Sequence, residues 1–336
     1  MRAWQINNFG MEHLTLVEHR PAELRRMEVR VRILACSLNY RDLLMVRGEY
    51  DPRQALPLVP LSDGAGEVIE VGEDVTRLAV GDRVAGAFAP LWIDGSPSRE
   101  SVRQTRGGPI NGMLRQSIVG DEAGFVRVPD YLSDEEAATL PCAAVTAWSA
   151  LDGVRAGERV VTQGTGGVSI FALQLAKLMG AEVVVTSSSD AKLERARELG
   201  ADHTLDYVAD PNWGKRVAEL GGADRVIELG GASTLDQSLR AVRTGGQLSL
   251  IGILGGPKAE VMLTKILMNA IRVQGIIVGS RSSFEAMNRA MASAELRPVI
   301  DRVFDFEDAP AAFAYLMRGA HFGKVVIRCS TSMQQG

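Results

Sequence analysis

The chain has 336 residues, 46% of them hydrophobic, with 37 basic and 41 acidic side chains and a formal net charge of −4. A sequence pI of 5.7 argues against a nucleic-acid partner, because that affinity rests on clustered Lys and Arg. Mean hydropathy is +0.03, no eighteen-residue apolar run appears and Met1-Arg2-Ala3-Trp4 opens no signal peptide, so a globular cytoplasmic protein with room for two domains is expected, with no membrane partner.

Residues 1–126 read as a β-rich domain with long loops. Short alternating strands at 28–34 and 66–71 are punctuated by Gly72 and Gly81-Asp82. The polar stretch 94–109 reads as a loop or lobe. The cysteines Cys36, Cys142 and Cys329 are isolated and the histidines scattered, so no zinc hook or redox dithiol is apparent.

From Arg159 to Tyr207 the chain spells a strand, a glycine turn, a helix and a second strand. The turn Gly164-Thr165-Gly166-Gly167-Val168 lets backbone N–H groups approach a pyrophosphate at the positive end of the following helix. The third glycine of the usual fingerprint is replaced by Ser169, so the reading rests on context: a helical period through Ile170, Leu173 and Leu178, a stop at Gly180, and the buried-strand run 183–185.

At the end of that second strand an acidic residue would take the ribose hydroxyls of NAD. Thr186, Ser187, Ser188 and Ser189 stand there, followed by Lys192 and Arg195. Neutral donors beside a cation favour a 2′-phosphate and hence NADP(H). Asp190 is the dissenting residue, and helix capping is the competing use of these serines.

The alternation continues through strands at 203–205, 225–229, 247–251 and 273–278, with helices at 191–199, 233–243 and 261–270. Six parallel strands result, making residues 127–279 a doubly wound sheet with ligands at the carboxyl ends of its strands: Gly164, Thr186, Leu229-Gly230, Ile251 and Val278. Beyond residue 284 come two helical stretches and a last strand, 324–329, which is expected to return to the first domain. The apolar edge strand 273–278 suggests a homodimer.

Asn39-Tyr40-Arg41-Asp42, Arg47-Gly48-Glu49-Tyr50, Asp63-Gly64-Ala65-Gly66-Glu67-Val68, Gly81-Asp82-Arg83-Val84 and the run from Gly164 to Val168 together resemble the medium-chain dehydrogenase/reductase superfamily across essentially the whole chain. The resemblance implies an α/β protein: a GroES-like β-rich catalytic domain (1–126 and 280–336) and a Rossmann domain (127–279) with a doubly wound parallel six-stranded sheet. It is nearer to the zinc-free quinone oxidoreductase and enoyl reductase branch. The zinc enzymes carry cysteine at the place of Asn39 and a His-Glu pair at Ser62-Asp63, and Asn and Ser are poor zinc ligands. No metal is expected.

What this implies is a zinc-independent, NADPH-dependent reduction of a quinone or α,β-unsaturated carbonyl. Hydride goes to the β-carbon, charge moves to an enolate oxygen and a proton follows. Asn39, Tyr40 and Tyr50 are the implied catalytic residues, Asn39 as amide donor and the tyrosines as proton donors or packing aromatics. The resemblance places Asn39 and Thr146 near the nicotinamide ribose and ring, and Ser188, Lys192 and Tyr207 at the adenosine phosphate. Ile251, Val278 and Ser280 fall at the carboxamide, and Phe322, Gly323 and Lys324 in a segment closing over the cofactor. The alternatives are a zinc-free alcohol or ketone oxidoreductase, and a protein that keeps NADPH without catalysis.

Overall fold

The computed structural model describes residues 1–329, which fall into two units, Met1–Val145 with Gly279 onward, and Thr146–Val278. In the first, β1 (Arg2–Ile6) pairs antiparallel with β2 (Leu14–Glu18). The long β3 (Glu28–Leu38) alternates half-buried and buried positions at its start and is wholly buried over its last four residues. It pairs antiparallel with β4 (Asp63–Val71), which pairs with β5 (Arg83–Gly86). Strand β6 (Ser117–Asp121) also pairs with β3, and β7 (Phe125–Arg127) with β5. Between β3 and β4 lies α1 (Tyr40–Val46), started by a capping box in which Asn39 N donates to the Asp42 carboxylate at 2.9 Å. No regular element occupies residues 87–116, matching the expected lobe. Helix α2 (Asp134–Ala138), whose Ser133 cap accepts from Glu136 N at 3.1 Å, packs on β3 and β4 and leads through a π turn into α3 (Val145–Ala150).

The second unit follows the expected alternation: β8 (Arg159–Gln163), α4 (Gly167–Leu178), β9 (Glu182–Ser187), α5 (Asp190–Glu198), β10 (His203–Asp206), α6 (Trp213–Glu219), β11 (Ala223–Glu228), α7 (Leu235–Ala241), β12 (Val242–Leu250), α8 (Leu263–Met268) and β13 (Arg272–Gly275). All the pairings are parallel, in the order β10-β9-β8-β11-β12-β13. The direction of progress reverses between β8 and β11, and the carboxyl end of β8 is therefore the switch point where ligands sit in such sheets. Strand β9 is buried at every position after the first, as a strand covered on both faces must be, and Val161, Val184, Val226 and Leu248 form the core with Trp213.

Several boundaries differ from the sequence expectation. Helix α7 stops at Ala241, because Val242 already has extended backbone (φ −68°, ψ 130°), so β12 begins earlier than the apolar run suggests. Helix α8 is shorter than 261–270 and buries none of its residues. Strand β13 ends at Gly275, and Val278, at φ +32°, lies beyond it in irregular chain.

The chain then forms α9 (Arg281–Ser293), capped by Ser280 Oγ accepting from Ser283 N at 3.1 Å, followed by β14 (Ile300–Asp305), α10 (Ala309–Met317) and β15 (Lys324–Arg328). Strand β15 does return to the first unit, antiparallel to β3 and parallel to β14, giving the order β14-β15-β3-β4-β5-β7. The apolar residues of β3 and β15 pack with Phe125 and Phe313 in one core. Strand β14 was not anticipated: Asp301, Arg302 and Asp305 interrupt its apolar pattern, and no position in it is fully buried. The sequence reading divided the chain after residue 126; the units divide after Val145, since the segment carrying α2 packs on β3 and β4.

Candidate functional site

At the carboxyl end of β8, Gly164 has φ +71°, a conformation L side chains rarely adopt, and its N–H donates to Thr186 O at 2.7 Å. A Cβ added there meets no protein atom within 4 Å. Gly166 is the N-cap of α4 and has no side chain to cap it, so the first-turn N–H groups keep their donor capacity and positive dipole for an anion. Ser169, the departure from the glycine fingerprint, is buried, and its hydroxyl donates to Gln163 O at 2.6 Å, tying α4 to the strand. Thr165 is buried beside the turn. These residues fit a diphosphate.

The turn is clamped to the neighbouring strand by a network that the sequence reading missed. Glu228, fully buried at the end of β11, accepts from Gly230 N at 2.8 Å, Gly231 N at 2.9 Å, Gln163 Nε2 at 2.9 Å, and the hydroxyls of Thr234 and Ser238. Gln163 Oε1 in turn accepts from Leu229 N and Gly230 N, both at 3.1 Å. The N–H groups of Leu229 and Gly230 are thus engaged inside the protein, and their carbonyls accept from Leu254 N and Gly255 N. Ile251 N donates to Glu228 O at 2.9 Å. A buried carboxylate with five donors is a fixed anchor that holds this strand end against the glycine turn.

At the end of β9, Thr186 and Ser187 are buried, leaving Ser188 as the exposed hydroxyl. Ser189 caps α5, accepting from Lys192 N at 3.5 Å, so the capping reading holds for that serine. Asp190 is exposed in the first helical turn, Lys192 is half-buried, and Tyr207, whose N–H donates to Ser187 O at 3.1 Å, is 41% exposed. No acidic side chain stands on the last turn of the strand itself.

The first unit holds a buried polar cluster that joins three distant segments. Lys324, 2% exposed at the start of β15, donates from Nζ to Leu38 O at 2.7 Å and Asn39 Oδ1 at 2.6 Å, and lies 3.8 Å from Asp63 Oδ2. Gly323 aims it: at φ +82° its position would drive a Cβ to 2.3 Å from Val299 O. Phe322 is buried. An ammonium has only donors, so Asn39 must turn its amide oxygen inward and its NH₂ the other way. That Nδ2 reaches Ser62 Oγ at 3.3 Å, Ser62 Oγ donates to Asp63 Oδ1 at 2.7 Å, and Cys142 N donates to Asp63 Oδ2 at 3.3 Å. Arg41 donates to Asp42 Oδ1, Arg106 O and Gly108 O, binding α1 to the lobe.

Tyr40 and Tyr50 are 47% and 54% exposed, and neither phenol has a hydrogen-bond partner among the described residues. The Tyr50 ring lies 5.1 Å from the Arg41 guanidinium. Thr146 is buried at the start of the second unit, and Ser280 serves as a helix cap. Lys324, assigned by resemblance to the cofactor, has its ammonium engaged with Leu38 and Asn39. Asp63, Ser62 and Arg41 join the cluster although sequence spacing alone gave them no such role.

Burial pushes the Asp63 carboxyl up to about 6; the charge of Asp42 adds to the push and Lys324 opposes it. Asp42 is raised by burial too, against Arg41. Since the folded Asp63 value lies above the usual 3.8, the folded state binds that proton more tightly than the unfolded chain. The stability from this group is full below that 3.8 and is lost as pH rises to about 6, by an amount on the order of 3 kcal/mol. Urea unfolding at pH 4 and pH 7 should therefore show the Asp63→Asn variant gaining on the wild type as pH rises. A difference that does not change with pH contradicts the assignment.

Zinc asks for thiolate, imidazole or carboxylate donors in a tetrahedral set. Asn39 and Ser62 offer only neutral donors. Asp63 already faces the Lys324 ammonium. Among the described residues no group of three or more His, Cys, Asp or Glu is arranged to hold a metal ion. The donor set does not fit zinc.

The family model described as alcohol dehydrogenase GroES-like domain matches residues 25–130, and that described as zinc-binding dehydrogenase matches residues 167–293. The zinc-type alcohol dehydrogenase-like protein C1773.06c of Schizosaccharomyces pombe is 41% identical over 332 residues, covering 95% of this chain and 96% of its own. The quinone oxidoreductase-like protein 2 of Mus musculus is 28% identical over 330 residues, with 94% and 88% covered. A solved structure from Sinorhizobium meliloti 1021, of a protein proposed to be an alcohol dehydrogenase, aligns with a TM-score of 0.92 at 44% identity and 98% coverage of both chains. The chain belongs to the medium-chain dehydrogenase/reductase superfamily and is an oxidoreductase of that family, whose dehydrogenases bind a nicotinamide cofactor.

Proposed function

We propose that the chain is a metal-free, NADP(H)-dependent reductase of a conjugated carbonyl, an enone or a quinone. The observation that carries the reading is the Lys324 ammonium, which sits between Asn39 and Asp63 in the cluster where metal donors would have to converge. NADPH, when bound, supplies hydride to the electrophilic carbon. The chain's part is to hold the diphosphate at Gly164, Thr165, Gly166, Gly167 and Val168, and the 2′-phosphate at Ser188, Lys192 and Tyr207.

Asn39 takes the role of amide donor. Its oxygen is held by Lys324 and its NH₂ group by Ser62 and Asp63, which fixes the direction from which the amide meets a substrate oxygen that gains charge during reduction. Tyr50 and Tyr40 are the phenols from which the enolate takes its proton. The name of the yeast relative favours a second reading, a simple alcohol or ketone as substrate. Steady-state rates with an enone, a quinone and a ketone decide: a ketone turned over faster than both conjugated substrates sinks the first reading.

The cofactor claim has its own test in fluorescence titration. Lys192→Ala should weaken NADPH by about tenfold, the loss of roughly 1.4 kcal/mol, and leave NADH unchanged. Wild-type protein that binds NADH more tightly than NADPH overturns the phosphate assignment.

The homodimer reading rests on an apolar face of the second unit. Strand β13 is exposed throughout, and Met262, Leu263, Leu267 and Met268 around α8 are each at least 65% exposed. An unpaired edge beside such a patch favours pairing with a second copy across a two-fold axis. Light scattering should give the mass of two chains; a monomer at micromolar concentration contradicts it.

A further inference from the structure

In the first unit, the segment after β2 closes a cavity of about 120 Å³ against β3 and β6. His19, Arg20, Arg30, Arg115 and Ser117 line it, and none of its lining residues is acidic. Arg30 is already matched, donating to Glu70 Oε2 at 2.6 Å and Ala22 O at 2.9 Å. Arg115 is not. Its Nε is buried without a hydrogen-bond partner, and its guanidinium forms no ion pair among the described residues. His19 Nε2 is likewise buried and unpartnered. Ser117 Oγ donates only to the Met1 thioether at 3.0 Å, a weak acceptor.

The surroundings make this lack of an acceptor more costly. Burial holds the Arg115 guanidinium below its usual range, and Arg106, itself buried with only the Ala87 and Gly124 carbonyls and the Phe125 ring for company, is close enough to repel it. Two buried cations without a carboxylate leave this region short of negative charge. Buried donors that converge on one small space from a guanidinium, an imidazole and a hydroxyl match the oxygens of a tetrahedral anion. A water takes about 30 Å³ of liquid volume, so the space holds an anion of a few heavy atoms. Cavities that enclose larger organic ligands run to roughly 300–1,000 Å³, so a dinucleotide does not fit.

We propose that this cavity is a binding site for inorganic phosphate or a terminal phosphate group, held by Arg115, His19, Arg20 and Ser117. The proposal stands apart from the cofactor's phosphate contacts, which lie in the other unit. The anion completes the hydrogen bonding of Arg115 and His19, and because it binds the folded chain it raises stability with the logarithm of its concentration above the dissociation constant.

Thermal unfolding followed against inorganic phosphate tests this, at constant ionic strength set with chloride and with NADPH saturating so that the cofactor's own phosphate positions are filled. The wild type should show a rise in Tm that sets in near the dissociation constant and then grows with the logarithm of phosphate concentration, and none with acetate. Arg115→Gln should weaken the apparent phosphate affinity at least tenfold, while Lys192→Ala leaves it unchanged. Arg20→Ala, at an exposed position, should weaken it severalfold and covers the case in which Arg115→Gln fails to fold. No rise in the wild type, an equal rise with acetate, or wild-type titrations in both arginine variants would overturn the site.

Discussion

Lys324→Met should lower the unfolding free energy by about 3–5 kcal/mol, the loss that follows when one partner of a buried charge pair is removed. Methionine keeps the length and packing of the lysine stem, so the change isolates the ammonium. Leu38 O and Asn39 Oδ1 then face an apolar group, and Asp63 is left with the neutral donors Ser62, Cys142 N and the Asn39 amide. With its cation gone, the Asp63 carboxyl moves further up from about 6 and takes a proton near neutral pH, which places the loss at the lower end of that range. Adding Asp63→Asn removes the stranded charge, so the double variant should recover part of the stability, and the cycle of four proteins measures the coupling. Turnover should fall on the order of a hundredfold, because Asn39 loses the group that fixes which way its amide points. Urea unfolding and steady-state rates check both statements. A stability loss below about 1 kcal/mol, the scale of a surface pair, contradicts the role given to Lys324.

Gly164→Ala should do the reverse: little to the fold and much to the cofactor. The methyl group enters space with no protein atom within 4 Å, so the fold bears only the left-handed backbone at φ +71°, at about 1–2 kcal/mol. The same space is where the backbone would approach a diphosphate. A displaced hydrogen bond to a charged group costs about 1.5–3 kcal/mol, which weakens cofactor binding by roughly 10- to 100-fold. Calorimetric titration with NADPH, beside a thermal melt of the same variant, separates the two effects. Unchanged affinity in the variant removes the turn from the binding site.

The second unit was largely legible because its signals are local. Strands buried on both faces read as continuous apolar runs, as in β9, and the glycine turn stands between such a run and a helical period. The six-strand order follows once those units are counted. Gln163 and Glu228 were not legible as a clamp, since they are 65 positions apart and a buried Glu looks like any other acidic residue in sequence.

The polar cluster shows the same limit more sharply. Lys324 meets Asn39 across 285 positions, and Cys142 meets Asp63 across 79, so no spacing rule connects them. A cation opening the apolar run 325–327 was the available signal, and it points to a buried partner as readily as to a ligand. No spacing in the sequence singles out Asp63, whereas the fold turns it toward a hydroxyl and an ammonium.

The central claim is that hydride passes from a phosphorylated nicotinamide to a conjugated carbonyl with no metal taking part. The direct measurement is a single-turnover reaction of deuterium-labelled NADPH with an enone, on protein dialysed against chelator and assayed for zinc. Deuterium at the β-carbon of the product, at a rate independent of residual zinc, is the predicted result. A rate that rises in proportion to bound zinc, or NADPH left unoxidised across enones and quinones alike, would contradict it.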